Sequence, residues 1–210
     1  MNLLRIKTEI RDEAARALIR GIDDRASLNK RIGLAAKALT REHLSKIAIE
    51  KHGTAQRLGA EPTGHFKEAA ESINMAADAD GAELRISHRG GLARAVRPVD
   101  IAPTGGRSFL TIPVHAAAYG RRVREFERNF GARLFRPYKK GAGKVRAKAL
   151  AARGADKKLV FFYALRESVH QDQDRELLPS DDQYAIAAKE GVARWIGHVA
   201  WLRGIDAGGA

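Results

Sequence analysis

The sequence predicts an α+β fold, with a long N-terminal helix and a C-terminal helix packed on a small, mainly antiparallel sheet and a basic extended arm. Three observations carry this. From about Ser27 to His52 apolar residues recur at helical spacing, with Leu28, Ile32, Ala35, Leu39 and Ile47 roughly on one face. After Leu178, Ser180 and Gln183 stand at capping-box spacing, and Asp181 and Asp182 complement the dipole of the helix they begin. Between the two, short β-branched or alternating runs cut by Gly and Pro read as strands and turns. The expected organisation is one domain over residues 1–210, with residues 131–158 inserted as a basic arm or long hairpin.

Taken in order, residues 3–7 suit a short edge strand, and Arg11 to Gly21 a first helical stretch. The long helix has Ser27 as its expected N-cap and Gly53 as its stop, and is expected to lie across a sheet. Thr63 to Ile73 reads as a short helix capped by Thr63, with Phe66, Ala69, Ala70 and Ile73 as its apolar stripe. Asp78 to Gly81 is a turn, and Glu83 to Ser87 alternates as a half-buried strand does. Gly90-Gly91, Pro98, Pro103 and Gly105-Gly106 divide the next stretch into short strands and turns.

Arg107 to Phe126 opens as a strand that stops at Pro113 and continues as an Ala-rich, then Arg-rich helix with Gly120 as its weak point. Leu110 and Ile112 are expected to pack inward. From Glu127 to Lys158 the periodicity dissolves. Leu159 to Leu165 is an unbroken apolar and aromatic run, the expected core strand, buried and central. The last helix presents Val192, Trp195, Ile196, Val199 and Leu202, and should end at Gly204.

Charge is the strongest compositional fact. The 210 residues carry 38 Lys/Arg and 25 Asp/Glu, a net +13. Residues 85–158 hold 19 Lys/Arg against 4 Asp/Glu, so this segment alone is +15 and the remainder −2. Such a block favours a phosphate backbone or an acidic protein partner over a solvated face with no partner. The candidate contact residues are Arg121, Arg122, Arg124, Arg128, Arg133, Arg136, Lys139, Lys140, Lys144, Arg146 and Lys148, interleaved with Phe126, Phe130, Phe135 and Tyr138.

Catalytic and metal-binding patterns are weak. The absence of cysteine excludes disulfides and thiolate metal sites and fits a reducing compartment. No run of 18 apolar residues predicts a membrane span, and the N-terminus lacks a signal-peptide core. His43 and His52 are nine apart, not the three or four that places two ligands on one helical face. Around Lys140 to Lys144 a phosphate-binding loop fails, because Tyr138 and Val145 occupy positions that need Gly and Ser/Thr. Ser108 and His115 lack a nucleophile elbow. Asp172, Asp174, Glu176, Asp181 and Asp182 read as caps and solvated acids before they read as a cation site. The expectation is therefore a non-enzyme without cofactor.

Several segments resemble, in order, the phage virion morphogenesis and tail-completion family. Thr63-Gly-His-Phe-Lys-Glu-Ala-Ala-Glu-Ser-Ile73 resembles its Thr-Gly-x-Leu-x-x-Ser-Ile box, with Phe66 in place of Leu. Leu110 to Phe126 is similar to a segment of Mu-type prophage members, and Leu178-Pro-Ser-Asp-Asp182 resembles the family's Arg-Pro-Phe-Leu close. The likeness spans roughly residues 10–203, and the long basic stretch from Gly131 to Lys158 replaces a short family loop. The resemblance implies a structural tail terminator or neck protein of the head–tail junction, assembled in the bacterial host cytoplasm and carried in the virion. It implies a ring of identical subunits, commonly six, that contacts tail-tube and connector proteins around phage DNA, with no membrane partner. The residue pattern also suits a sequence-independent nucleic-acid-binding protein acting through residues 85–158.

Overall fold

The computed structural model describes residues 4–7, 24–50, 53–87, 92–138, 145–154 and 156–202. The expected helix from Arg11 to Gly21, the Gly90-Gly91 turn, Gly204, and Lys139, Lys140 and Lys144 lie outside them. The architecture is α+β: a long N-terminal helix, a C-terminal helix and small antiparallel sheets. By its internal contacts the chain forms two compact units interleaved in sequence. One comprises Met1–Glu50, His65–Arg97 and Gln173–Ala210, the other Lys51–Gly64 and Pro98–Asp172.

In the first unit, α1 (Arg25–Glu50) buries Leu28, Ile32, Gly33, Ala36, Thr40, Leu44 and Ile47 along one stripe. Its cap is Asp24, whose Oδ1 accepts from the Ser27 N–H at 3.0 Å, so the expected cap Ser27 lies inside the first turn instead. The strands β1 (Leu4–Lys7), β2 (Ile73–Ala77) and β3 (Ala82–Ile86) form an antiparallel sheet in the order β1-β3-β2. Asp78 closes the β2–β3 hairpin by accepting from the N–H groups of Asp80 and Gly81. Helix α3 (His65–Glu71) is shorter than expected: Ser72 ends it, and Ile73 instead opens β2 opposite Ile86. Gly64, at φ +73°, precedes α3, so Thr63 does not sit at its cap.

Helix α1 packs on β2, β3 and α3, and Gly33 brings it close: a Cβ there would lie 2.9 Å from the Ala82 Cβ and 3.0 Å from the Met75 Sδ. On its other flank runs α5 (Asp181–Leu202), begun by the expected capping box. Ser180 N–H donates to Gln183 Oε1 at 2.9 Å, and Gln183 N–H to Ser180 Oγ at 3.3 Å. The two helices are antiparallel, since Leu28 and Ile32 meet Ala188, Val192 and Trp195 while Thr40 meets Tyr184. Trp195 is buried as expected, whereas Ile196 is exposed; the side chains of Val199 and Leu202 lie outside the described residues.

Thr40 is fully buried. Its hydroxyl donates to the Ala36 carbonyl at 2.8 Å, which leaves Tyr184 as the donor across the 2.9 Å contact between the two hydroxyls. Burial pushes the Tyr184 phenol up, and the Thr40 contact partly opposes it. Thr40→Val removes that acceptor while keeping the shape. We expect a loss of about 1–3 kcal/mol, read as a lower thermal midpoint. No change would show that the phenol finds another partner.

In the second unit, α2 (Gly53–Leu58) begins where a helix stop was expected, because Gly53 opens a new helix instead of closing α1. Strands β4 (Val99–Ile101) and β8 (Val169–Gln171) pair antiparallel. Strands β5 (Leu110–Pro113), β6 (Ala149–Arg153) and β7 (Leu159–Arg166) form a second sheet in the order β5-β7-β6. β5 stops at Pro113 as expected, with Leu110 and Ile112 half-buried. β7 is central, but it is not buried on both faces, since Leu159 and Phe161 remain exposed.

The Ala-rich run after β5 forms only the 3-10 turn Ala116–Ala118. Gly120, at φ +73°, separates it from α4 (Val123–Phe130), and Gly131, at φ 64°, ends α4 in the left-handed conformation. A Cβ on Gly120 would also lie 2.8 Å from the Thr63 Cγ2. Residues 149–153 of the expected arm belong to the sheet as β6, and α4 carries the helix past Glu127. Within the same expected arm, Phe135 pairs with Ala151 and Tyr138 with Arg146, both antiparallel.

Candidate functional site

Helix α4 is built so that one stripe is core and the rest is charge. Phe126 is fully buried, its ring 4.7 Å from Phe162 and 5.9 Å from Tyr163, with Phe130 stacked on it at 4.6 Å. The Tyr163 hydroxyl donates to the Arg121 carbonyl at 3.0 Å, fixing the chain just before α4, and Glu127 accepts from the Leu134 N–H at 2.8 Å just after it. Burial is the main reason the Tyr163 phenol sits above its ordinary value. With both ends held and Phe126 inward, Arg122, Arg124 and Arg128 must point outward.

These three, with Glu125 and Asn129, line an open depression of about 540 Å³. The lining is polar, unlike the mostly apolar walls of small-molecule pockets. Among the described residues none of the three arginines has a carboxylate within ion-pair distance. Two local terms are unfavourable, since Arg122 caps the positive end of the α4 dipole without a side-chain hydrogen bond and Arg124 and Arg128 are like charges four residues apart, while Glu125 in the first turn offsets part of them. An external anion relieves both terms. Unfavourable local choices of this kind gather at functional surfaces.

The other expected contacts divide. Arg121 and Arg133 are exposed. Arg136 is half-buried, its guanidinium 5.3 Å from the Phe109 ring centre and its Nε donating to the Ala147 carbonyl at 3.2 Å. Arg146 lies over Tyr138 at 5.4 Å, and Lys148 pairs with Glu167 at 2.7 Å, holding that carboxyl below its usual range. The helix thus unites Arg122, Arg124 and Arg128; Arg136, Arg146 and Lys148 serve their own hairpin and sheet.

The remaining chemical candidates have structural duties. His115 Nδ1 accepts from the Ala117 N–H at 3.2 Å, capping the 3-10 turn. Asp174 caps the turn Arg175–Leu177 and pairs with Arg94 at 3.4 Å, while Asp181 and Asp182 occupy the first turn of α5. Among the described residues no three His, Asp or Glu side chains gather as metal ligands, and no helix is long and apolar enough to cross a membrane.

A cluster that sequence spacing could not reveal is His170 with Asp100, register partners across β8 and β4 and 2.7 Å apart from Nδ1 to Oδ1, with Asp172 at 3.5 Å from Nε2. The hydrogen bond to Asp100, then its charge, raises the His170 pKa, and Asp172 adds to it. A raised folded-state value means the pair stabilises the fold at pH below the ordinary histidine value of about 6.5 and loses that contribution as pH rises through the raised value. In an NMR titration Asp100→Asn should move the His170 midpoint down toward its ordinary value; an unmoved midpoint would contradict the assignment.

Comparison of the chain with models of protein families, with curated proteins and with solved structures gives no match.

Proposed function

We propose that this chain is a structural virion protein of the head–tail junction, a subunit of a ring that completes the tail and joins it to the head around the DNA channel. The observation that carries this reading is the outward group formed by Arg122 at the cap of α4 and Arg124 and Arg128 on it, unpaired among the described residues and held by a buried Phe126. A channel that passes DNA of any sequence needs phosphate contacts without base-edge readout, and guanidinium groups on a rigid helix supply them. Support also comes from the order of the family-like segments at Thr63–Ile73, Leu110–Phe126 and Leu178–Asp182. In this reading the partners are further copies of the chain, commonly six in such rings, tail-tube and connector proteins, and the DNA itself. No catalytic step or cofactor is involved.

Size-exclusion chromatography with light scattering on the full chain tests it. A closed oligomer that persists in high salt is expected, and a tail-assembly complementation in which Arg122, Arg124 and Arg128 changed together to Ser forms rings but loses head joining. The same arginine group favours a second reading, a free sequence-independent nucleic-acid-binding protein. A monomer whose duplex affinity falls steeply with salt, with a slope lowered by roughly 2.7 in the triple variant, would establish that reading and overturn the ring.

A further inference from the structure

The face of the second sheet opposite α4 carries a row of side chains that neither proposal uses. Phe135 and Ala151 exchange both backbone hydrogen bonds at 2.9 Å, and Ala151 is in turn the register partner of Phe161. Directly opposed residues project to the same face of a sheet, so Phe135, bridged to β6, stands side by side with Ala151 on β6 and Phe161 on β7. Phe135 is 40% and Phe161 45% exposed, while Ala151 between them is fully buried, so no gap reaches the backbone there. Two residues along, Arg153 opposes Leu159 on this same face, and Arg133 lies two residues before Phe135, exposed. None of these six positions is acidic.

What sets these two rings apart from singly exposed apolar residues is that they stand in one row on a sheet, a surface that suits an occupant. The charge beside them selects it: two guanidinium groups stand along one side of a row whose two aromatic rings are spaced about 9.5 Å apart, two strand separations. Rings that stand off a sheet offer π-faces to planar groups, and arginines alongside take the phosphates linking those groups. We propose that Phe135, Ala151 and Phe161 form a stacking platform for bases of single-stranded nucleic acid, with Arg133 and Arg153 on its backbone. The platform lies on different residues from the α4 arginines and does not rest on the ring reading.

Fluorescence anisotropy of a labelled oligothymidylate with the full chain tests it, beside an abasic strand of equal length and a duplex. Phe161→Ala and Phe135→Ala should each weaken oligothymidylate binding roughly 5- to 150-fold and leave abasic-strand binding unchanged. Phe161→Tyr should retain affinity and Phe161→Leu should lose it, which separates stacking from a general packing defect. Arg153→Ser should weaken both strands alike and lower the salt slope by about one. The proposal is overturned if oligothymidylate and abasic strand bind equally well. It is also overturned if the phenylalanine variants change only the oligomeric mass by light scattering, which would make the row a contact between copies of the chain.

Discussion

Alanine at Gly191 is expected to destabilise the protein by about 1–3 kcal/mol, and valine or leucine by more. The expectation runs against local propensity, since Gly→Ala inside a helix normally gains about 1 kcal/mol. Here a Cβ would lie 2.8 Å from the Ile32 Cα, 3.0 Å from the Arg31 carbonyl oxygen and 3.1 Å from the Ile32 backbone nitrogen. All three are backbone atoms of α1, so no side chain can swing aside. The two helices must separate, and that loosens Leu28, Ile32, Ala188 and Trp195 together. At this chain length each kcal/mol moves the thermal midpoint by about 2–4 °C, well within reach of circular dichroism. A variant that melts higher than the parent would show that α1 and α5 are not in backbone contact.

Phe126→Ala should cost about 3–5 kcal/mol, the range for emptying a fully enclosed aromatic site. Its ring touches Phe130, Phe162 and Tyr163, so its loss leaves a cavity between α4 and β7 that no single neighbour can fill. Phe130→Ala is the control. It stands one turn along on the same stripe but is half exposed, and it should cost a fraction of that. Hydrogen exchange should show amides of α4 and β7 losing protection in the first variant and not in the second. Equal costs at the two positions would mean that Phe126 is not the residue that anchors the arginine helix. Loss of that anchor should also abolish any anion affinity of Arg122, Arg124 and Arg128 before global unfolding.

What the chain disclosed in advance follows from how local each signal is. The α5 capping box and the stop of β5 at Pro113 were legible because both are settled within four residues. β2 was not, because Ile-Asn-Met-Ala-Ala carries no β-branched residue after the first and adjoins a helical stripe; only pairing with β3 makes it a strand. Asp24 took the cap from Ser27 for a similar reason, since both residue types cap well and the three-dimensional end of α1 decides. The α4 arginines were visible as a charge block. Sequence alone could not separate Arg122, Arg124 and Arg128 from Arg136, Arg146 and Lys148, which are engaged by Phe109, Tyr138 and Glu167 from elsewhere in the chain. Phe161 was hidden inside a run that reads as uniformly buried, yet sheet order leaves one of its faces uncovered.

The interleaving of the two units sets a timetable for synthesis. The unit made of Lys51–Gly64 and Pro98–Asp172 has all of its chain once Asp172 leaves the ribosome, so Phe126 can meet Phe162 early. Helix α1 emerges before that unit, but α5, which covers Leu28, Ile32 and Thr40, is translated only after it. Until then an apolar stripe of α1 waits for a partner made some 150 residues later. Nascent chains stalled before residue 181 should therefore be the form that chaperones hold.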